Sequence, residues 1–200
     1  MLKVGITGGI GSGKSMICSV FKVLGVPVFA ADEVGRDLLN SDSNIGKYIL
    51  DHFGTEVFGE DGKPDRKKIA EIVFANPDKL REFDSIMHPR VKEIYNSWLF
   101  TKNNSPYVIH EAAILIESEF YKLCEIIILV EAPLNLRINR VIKRDGLSTQ
   151  EIKQRMVMQY TDEQRRPFGD YTIMNDENSP VLQRVLDIHN SLLKMGEVKT

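Results

Sequence analysis

The feature that most constrains the fold is residues 8–15, Gly-Gly-Ile-Gly-Ser-Gly-Lys-Ser, which follow the apolar run Leu2–Ile6 and match the pattern G-x-x-x-x-G-K-S. Glycines allow the backbone to turn successive N–H groups toward a phosphate, and the lysine adds a positive charge. The serine hydroxyl is a ligand for the magnesium ion that accompanies a nucleoside triphosphate. Residues 15–24 then form a helical pattern that ends at Gly25. We predict a phosphate-binding loop between a strand and a helix; a glycine-rich turn without a ligand is the alternative.

The length of 200 residues suits one α/β domain with insertions, and the net charge of the chain is −2. This charge gives no overall positive field, so nucleic acid is a poor candidate partner. The two cysteines, Cys18 and Cys124, are far apart in the sequence and are predicted to be buried thiols of a reducing compartment. The longest apolar run, Ile126–Val130, is too short to span a bilayer. We expect a cytoplasmic protein without a membrane partner.

Five short apolar runs predict a parallel sheet, because continuous hydrophobicity is typical of strands covered on both faces. Helical patterns lie between them, which indicates a three-layer α/β fold of the P-loop NTPase type with ligands at the carboxyl ends of the strands. The runs are Leu2–Ile6, Val26–Phe29, Tyr107–His110, Ile126–Val130 and Tyr171–Met174.

Two helical segments are predicted to interrupt the nucleotide-binding core. Residues 33–104 carry several helical patterns and little strand signal, which indicates a substrate-binding insertion, and Pro77 and Pro89 are expected to separate its helices. Residues 134–168 are predicted to form a lid that includes a capping box at 148–151. The core then comprises residues 1–32, 105–133 and 169–200.

Asp32 follows the second predicted strand, whose carboxyl end meets the same edge of the sheet as the phosphate loop. A carboxylate there can orient an attacking hydroxyl and accept its proton, which is the usual protein contribution to phosphoryl transfer. We therefore predict that Asp32 is the catalytic base. The alternative is an N-cap for the helix at 33–39, and both roles are compatible. Residues 32–35 also match the D-x-x-G of GTPases, but the Asn-Lys-x-Asp guanine motif is missing from the sequence.

Four basic residues, Arg137, Arg140, Lys143 and Arg144, recur at helical spacing after the fourth predicted strand. They are either a solvated basic stripe or lid arginines that close over the phosphates. We favour the lid, with Arg140 first and Arg144 second. Glu111 follows the third strand and either holds magnesium through a water molecule or is a simple charge at the end of a strand.

The histidines carry little information by themselves. His88 precedes Pro89 and is interpreted as a cap or surface residue in a turn between helices, and His110 as a packed residue at the end of a strand. The spacing of cysteines and histidines does not resemble a zinc site.

With these residues in place, the chain resembles the dephospho-coenzyme A kinase family over nearly its whole length. The pieces that carry the resemblance occur in order: residues 4–15, Ala31-Asp32 with Arg36, Asp65-Arg66, Met87-His88-Pro89, residues 113–117, Arg140 with Arg144-Asp145, Gln159, and Asp170 with Asn175. The resemblance implies a five-stranded parallel core, a helical substrate domain and a mobile lid. It also implies transfer of the γ-phosphate of ATP to the ribose 3′-hydroxyl of dephospho-CoA, with Mg²⁺ as the cofactor.

The motifs and the resemblance together give expected roles to residues of this chain. The catalytic residues are Asp32, Lys14 and Arg140. The ATP-binding residues are Gly11, Ser12, Gly13, Lys14, Ser15, Met16, Arg140, Arg144 and Asn175. The substrate-binding residues are Thr7, Asp32, Arg36, Arg66, His88 and Glu111. The metal ligands are Ser15 and, through a water molecule, Glu111.

The chain also departs from the family pattern. Ala30 replaces a second aspartate, so the role of base falls on Asp32 alone, and Glu111 replaces an aspartate. Arg137 stands where glutamine is common. We still expect an active enzyme, and favour a monomer. Two alternatives remain, another nucleoside or nucleotide kinase and an ATP-binding module that transfers no phosphate.

Overall fold

The computed structural model describes residues 1–102 and 104–198. Its centre is a sheet of five strands in the order β2-β3-β1-β4-β5, and every neighbouring pair is parallel. The strands are β1 Leu2–Thr7, β2 Val28–Ala30, β3 Tyr107–Glu111, β4 Ile126–Glu131 and β5 Tyr171–Met174. The predicted five-stranded parallel sheet is confirmed. β2 begins later than predicted, after Pro27, which has no N–H to donate to a ladder.

Nine helices accompany this sheet in the described part of the chain, together with three short 3₁₀ turns at Thr55–Val57, Phe120–Leu123 and Arg166–Phe168. They are α1 Lys14–Val23, α2 Ala31–Ser41, α3 Ser43–Phe53, α4 Arg66–Ala75, α5 Pro77–Phe100, α6 Leu134–Asp145, α7 Thr149–Val157, α8 Asp162–Arg165 and α9 Val181–Val198. Among the described residues, no helix combines the length and the apolar character that crossing a bilayer requires.

Local sequence signals explain several helix ends. Gly146 follows α6 with a φ of 68°, the left-handed conformation that glycine adopts without a steric penalty. The Ser148 side chain accepts a hydrogen bond from the Glu151 N–H while the Glu151 side chain returns to Ser148, so the predicted capping box is confirmed. Asp65 caps α4 by accepting hydrogen bonds from the backbone N–H groups of Lys67 and Lys68.

The structure overturns three local expectations in the helices: the break at Pro89, the turn at His88 and the alternative of Asp32 as an N-cap. Pro89 does not separate two helices but lies inside α5. A proline removes one backbone hydrogen bond, and here α5 continues because Met87 and Val91 are buried on either side of it. His88 is therefore a helical residue and does not occupy a turn. α2 begins at Ala31, so Asp32 lies in its first turn and is not the N-cap.

The chain forms two compact units. The first consists of Met1–Ala30 and the chain from Trp98 onward, and the second is Ala31–Ser97. In the first unit, α1 and α9 bury apolar side chains against the sheet. The cluster includes Val4, Ile6, Ile17, Phe21, Ile109, Ile128, Val130, Ile173, Val185, Ile188 and Leu192. In the second unit, apolar side chains of α2, α3, α4 and α5 are buried.

Of the two cysteines predicted to be buried thiols, Cys18 in α1 is buried and Cys124 is partly exposed. Neither forms a disulfide. Burial raises the pKa of both thiols, that of Cys124 to about 12, because a thiolate would lose its hydration. Both side chains therefore remain protonated near neutral pH and contribute to packing.

His110 in β3 is fully buried, and its ring meets the rings of Phe29 and Phe120 edge-on at centroid distances of 5.4 and 5.3 Å. The interpretation of His110 as a packed strand residue is confirmed. Burial lowers its pKa from 6.5 to about 4, because the imidazolium form would lose its hydration. His110 is protonated at a higher pH in the unfolded chain than in the folded chain, so acid favours unfolding.

We expect His110 to lower the free energy of unfolding by about 3 kcal/mol as the pH falls from 6.5 to 4. This part of the stability is present above pH 6.5 and is lost as the pH approaches the folded-state pKa. Urea unfolding at a series of pH values measures it. The His110→Phe variant keeps an aromatic ring and should lack this component. Parallel pH profiles for the two proteins would contradict the assignment.

Candidate active site

The phosphate loop joins the carboxyl end of β1 to the first turn of α1, as the sequence predicts. Gly11 and Gly13 have φ values of 78° and 93°, in the left-handed region that favours glycine. A Cβ atom on Gly11 would lie 2.4 Å from the Arg137 carbonyl oxygen, and one on Gly13 would lie 2.0 Å from Nδ2 of Asn175. Both conformation and space therefore demand glycine at these two positions.

Lys14 and Ser15 open α1 directly after the loop. Lys14 is 8% exposed, and its Nζ donates a hydrogen bond to the Gly8 carbonyl oxygen at 2.9 Å, so the side chain spans the loop. Ser15 and Met16 are exposed at the first turn. That turn contains no acidic residue, so its backbone N–H groups and the helix dipole present a positive end to an anion.

Ser12 stiffens the loop through its backbone. Its N–H donates to the Gly9 carbonyl oxygen at 3.0 Å, and its own carbonyl oxygen accepts a hydrogen bond from Asn175 Nδ2 at 2.7 Å. The Ser12 hydroxyl is buried and has no hydrogen-bond partner within the described parts of the chain. The side chain therefore faces the protein interior, and the predicted ATP contact of Ser12 falls on its backbone.

Asn175 and Arg140, two residues predicted to bind ATP, contact each other and the loop. Asn175 lies directly after β5, and its N–H donates to the Glu131 carbonyl oxygen at 2.7 Å. Arg140 of α6 donates from Nη2 to the Asn175 carbonyl oxygen at 3.1 Å and from Nη1 to the Ser12 carbonyl oxygen at 3.4 Å. The guanidinium group is thus held by carbonyl oxygens beside the loop.

The basic stripe on α6 divides into two parts. Arg137 and Arg140 contact the phosphate loop, whereas Lys143 and Arg144 are exposed. The Arg144 guanidinium forms a bidentate pair with the Asp145 carboxylate, with hydrogen bonds of 2.8 and 2.7 Å. This pairing raises the pKa of Arg144 and lowers the pKa of Asp145. The first half of α6 therefore lies against the loop, and its last turn is exposed to solvent.

Glu111 and Thr7 lie at the same edge of the sheet. Glu111 ends β3 opposite Ile6 of β1 and is 6% exposed. The negative charge of Glu111 helps to raise the pKa of Cys18, and the positive charge of Lys14 acts to lower it. Both charges therefore lie near the same part of α1. Thr7 is fully buried, and its Oγ1 donates to the Ala113 carbonyl oxygen at 3.4 Å.

Ser15 and Glu111 carry oxygen atoms of the kind that bind magnesium. Mg²⁺ in nucleotide sites is held by one or two protein oxygens, with phosphates and water completing the octahedron. Ser15 offers an exposed hydroxyl and Glu111 a carboxylate at the end of β3. Within residues 1–102 and 104–198, no cluster of three or more His, Cys, Asp or Glu side chains is arranged to hold a metal ion.

Four predicted substrate residues belong to the second compact unit. Asp32 is exposed in the first turn of α2, and Arg36 one turn later donates from Nε to the backbone oxygen of Asp32 at 3.0 Å. Arg66 is exposed at the first position of α4. His88 Nε2 lies 3.6 Å from Oδ1 of Asp84 one helical turn earlier, and burial raises the pKa of that aspartate. Both His88 and Asp84 are half-buried.

Sequence reasoning missed two residues that contact the phosphate loop. Arg137 Nε donates to the Ile10 carbonyl oxygen at 3.0 Å, and the Ile10 N–H donates to Oε1 of Gln159 at 2.8 Å. In the sequence, Arg137 stands out as a member of the basic stripe and as a departure from the family pattern, and Gln159 as part of the family resemblance. Both partners are distant in sequence, so no local pattern could have joined them to Ile10.

Comparisons with known proteins agree with this geometry. A sequence model of the family described as "Dephospho-CoA kinase" matches residues 2–180. The dephospho-CoA kinase of Bacteroides fragilis (strain YCH46) is 38% identical over 187 residues, which cover 94% of this chain and 91% of that protein. A crystal structure from Thermus thermophilus has a TM-score of 0.83 at 29% identity and covers 95% of this chain and 96% of its own. The structure of the Campylobacter jejuni dephospho-CoA kinase has a TM-score of 0.68 at 24% identity, covers 96% of this chain and 97% of its own, and shares the fold.

Proposed function

The chain belongs to the dephospho-CoA kinase family, and on that premise we propose how its residues transfer the γ-phosphate of ATP to the ribose 3′-hydroxyl of dephospho-CoA, giving ADP and CoA. The observation that carries the proposal is the phosphate loop, in which Gly11 and Gly13 adopt left-handed conformations and Lys14 spans the loop. Such a loop presents N–H groups to phosphate oxygens and a charge to the group in transfer.

The loop and the first turn of α1 hold the β- and γ-phosphates. The contacts come from backbone groups of residues 11–16 and from the Lys14 ammonium. Asn175 and Arg140 complete the ATP site beside Ser12, whose carbonyl oxygen both side chains contact. Arg144 is assigned to ATP as well, which requires it to leave Asp145 when nucleotide binds.

Magnesium would be held by the Ser15 hydroxyl and, through a water molecule, by Glu111. When bound, the ion neutralises charge on the transferring phosphate oxygens. This chain would supply two oxygen ligands, the Ser15 hydroxyl and the Glu111 carboxylate, near the carboxyl ends of β1 and β3.

Asp32 accepts the proton of the 3′-hydroxyl as that oxygen attacks the γ-phosphorus, and the bond to the β-phosphate oxygen breaks to release ADP. The carboxylate is exposed, as a group that meets a substrate must be. On the acceptor side we place Thr7, Arg36, Arg66, His88 and Glu111. Thr7 is fully buried, so it would act by shaping the end of β1.

The segments keep their proposed roles. Residues 33–104 bind the acceptor, residues 134–168 act as a lid, and the remaining residues form the nucleotide-binding core. We propose that the enzyme acts in the cytoplasm, in line with its two free cysteines, and that it is a monomer.

An assay that couples ADP release to NADH oxidation tests the activity with a panel of acceptors. Dephospho-CoA should give rapid release, whereas AMP, CMP and free nucleosides should give little. Comparable release with AMP or a nucleoside would indicate another small-molecule kinase. ATP binding without acceptor-dependent release would indicate a module that holds the nucleotide without transferring phosphate.

Arg140→Ala should lower kcat at least roughly tenfold and leave the KM for dephospho-CoA within about twofold, because the guanidinium acts on charge that develops in the transition state. Steady-state kinetics with each substrate varied in turn measures both constants. Lys143→Ala removes a cation from the same helix at an exposed position and serves as the control. An Arg140→Ala enzyme with normal kcat and a raised acceptor KM would move Arg140 to the acceptor pocket.

A further inference from the structure

Both hydrogen-bonding groups of the Ile10 residue in the phosphate loop are bound by side chains from outside the loop. The Ile10 carbonyl oxygen accepts from Arg137 Nε at 3.0 Å, and the Ile10 N–H donates to Gln159 Oε1 at 2.8 Å. Arg137 comes from α6, and Gln159 from the turn after α7. Loop backbone usually turns such groups toward water, so two side-chain contacts at one residue fix this part of the loop.

The Arg137 side chain is built into the loop. It is 10% exposed, and a Cβ on Gly9 would lie 1.9 Å from its Nη2, so the guanidinium lies against the Gly9 backbone. The backbone of α6 at Arg137 makes a similarly close approach to Gly11. Arg137 therefore contacts three successive parts of the loop, at Gly9, Ile10 and Gly11.

A small ionic cluster holds this arginine in place. The Asp162 carboxylate lies 3.1 Å from Arg137 Nη1 and 3.5 Å from Nη1 of Arg165, and Glu117 lies 3.0 Å from Nη2 of Arg165. The two arginines and the two carboxylates together carry no net charge. Such a balance stabilises a buried cluster, because an unpaired buried charge is costly. Burial lowers the pKa of Arg137, and the Asp162 charge opposes that shift. The guanidinium is thus oriented from one side by Asp162 and meets Ile10 on the other.

We propose that Arg137 and Gln159 are positioning residues for phosphoryl transfer: by fixing the Ile10 backbone they keep the loop in the conformation that receives the β-phosphate. The inference rests on the proposed function of the loop. Neither side chain needs to touch the nucleotide, because a loop that is already ordered binds phosphate without a further loss of conformational freedom. The effect should fall on ATP and ADP, and acceptor binding should be unchanged.

The test compares wild-type protein with Arg137→Met and Gln159→Met, using calorimetry for the Kd of ADP, kinetics for the KM of dephospho-CoA, and hydrogen exchange for the loop peptide. Each variant should raise the Kd of ADP roughly tenfold. A change of this size corresponds to the loss of one hydrogen bond that involves a charged group. Exchange in the loop should quicken, and the acceptor KM should stay within about twofold. Lys143→Met removes an exposed charge from the same helix and should change none of these values.

The outcomes separate the two hypotheses. If wild-type protein does not bind ADP, the proposed function fails. If wild-type binds ADP and both variants bind it equally well, with only a lower Tm, Arg137 and Gln159 are merely structural and the inference is overturned. Arg137 is buried, so the Arg137→Met variant could fail to fold. In that case two other variants test the inference: Gln159→Met, at a half-buried position, and Arg137→Lys, which keeps the positive charge. Arg137→Lys should recover part of the ADP affinity.

Discussion

Asp32→Asn should lower kcat by roughly 10²–10⁴-fold while the affinity for ATP stays within a few fold. Asparagine has the size of aspartate but cannot accept a proton. The substitution therefore removes the proposed proton acceptor with little change in shape. Asp32 lies two residues beyond the end of β2, exposed in the first turn of α2, and Arg36 contacts its backbone oxygen. That contact survives the substitution. Single-turnover kinetics with saturating ATP measures the transfer step.

Asp37→Asn is the matched control for this experiment. It makes the same chemical change on the same helix at another exposed position, and should leave kcat unchanged. If Asp32→Asn kept more than about a tenth of the wild-type kcat, Asp32 would be a residue of the helix surface, and Glu111 would become the candidate base.

Lys14→Ala should reduce kcat roughly 10²-fold or more, since a preorganised charge at the transferring phosphate contributes about 3 kcal/mol or more to the transition state. The folded structure loses one hydrogen bond to the Gly8 carbonyl oxygen, so the melting temperature should change little. The coupled ADP assay and a thermal melt measure the two quantities on the same sample.

Lys22→Ala, at an exposed position in the last turn of α1, controls for the loss of a positive charge on this helix. Near-normal turnover by Lys14→Ala with an unchanged melting curve would contradict the assignment of this loop to phosphate binding.

The sheet and the phosphate loop could be predicted from the sequence because their signals are local. Each buried parallel strand is a short continuous apolar run, and the loop has a fixed spacing of glycines before Lys14. The continuation of α5 through Pro89 could not be predicted, because local backbone preference pointed to a break and tertiary burial of Met87 and Val91 outweighed it.

The candidate site was predictable to a similar extent. Residues on the loop or at strand ends follow from the motif and the topology. Contacts between distant segments do not, since a glutamine at 159 gives no local sign that it binds the backbone of Ile10. Arg137 illustrates the difficulty further, because a buried arginine that pairs with Asp162 looks like any other member of a basic helix in the sequence.

The contact between Gly9 and the Arg137 guanidinium also constrains how this chain can evolve. A Cβ atom at position 9 would lie 1.9 Å from Nη2 of Arg137, so a side chain there would push the guanidinium aside, although the backbone at Gly9 has no positive φ. An alanine at position 9 would therefore displace the guanidinium from the Ile10 carbonyl oxygen and from Asp162, whereas a shorter residue at position 137 would leave room for it. The two sites are therefore epistatic, and the order in which they mutate decides which lineages keep a working loop.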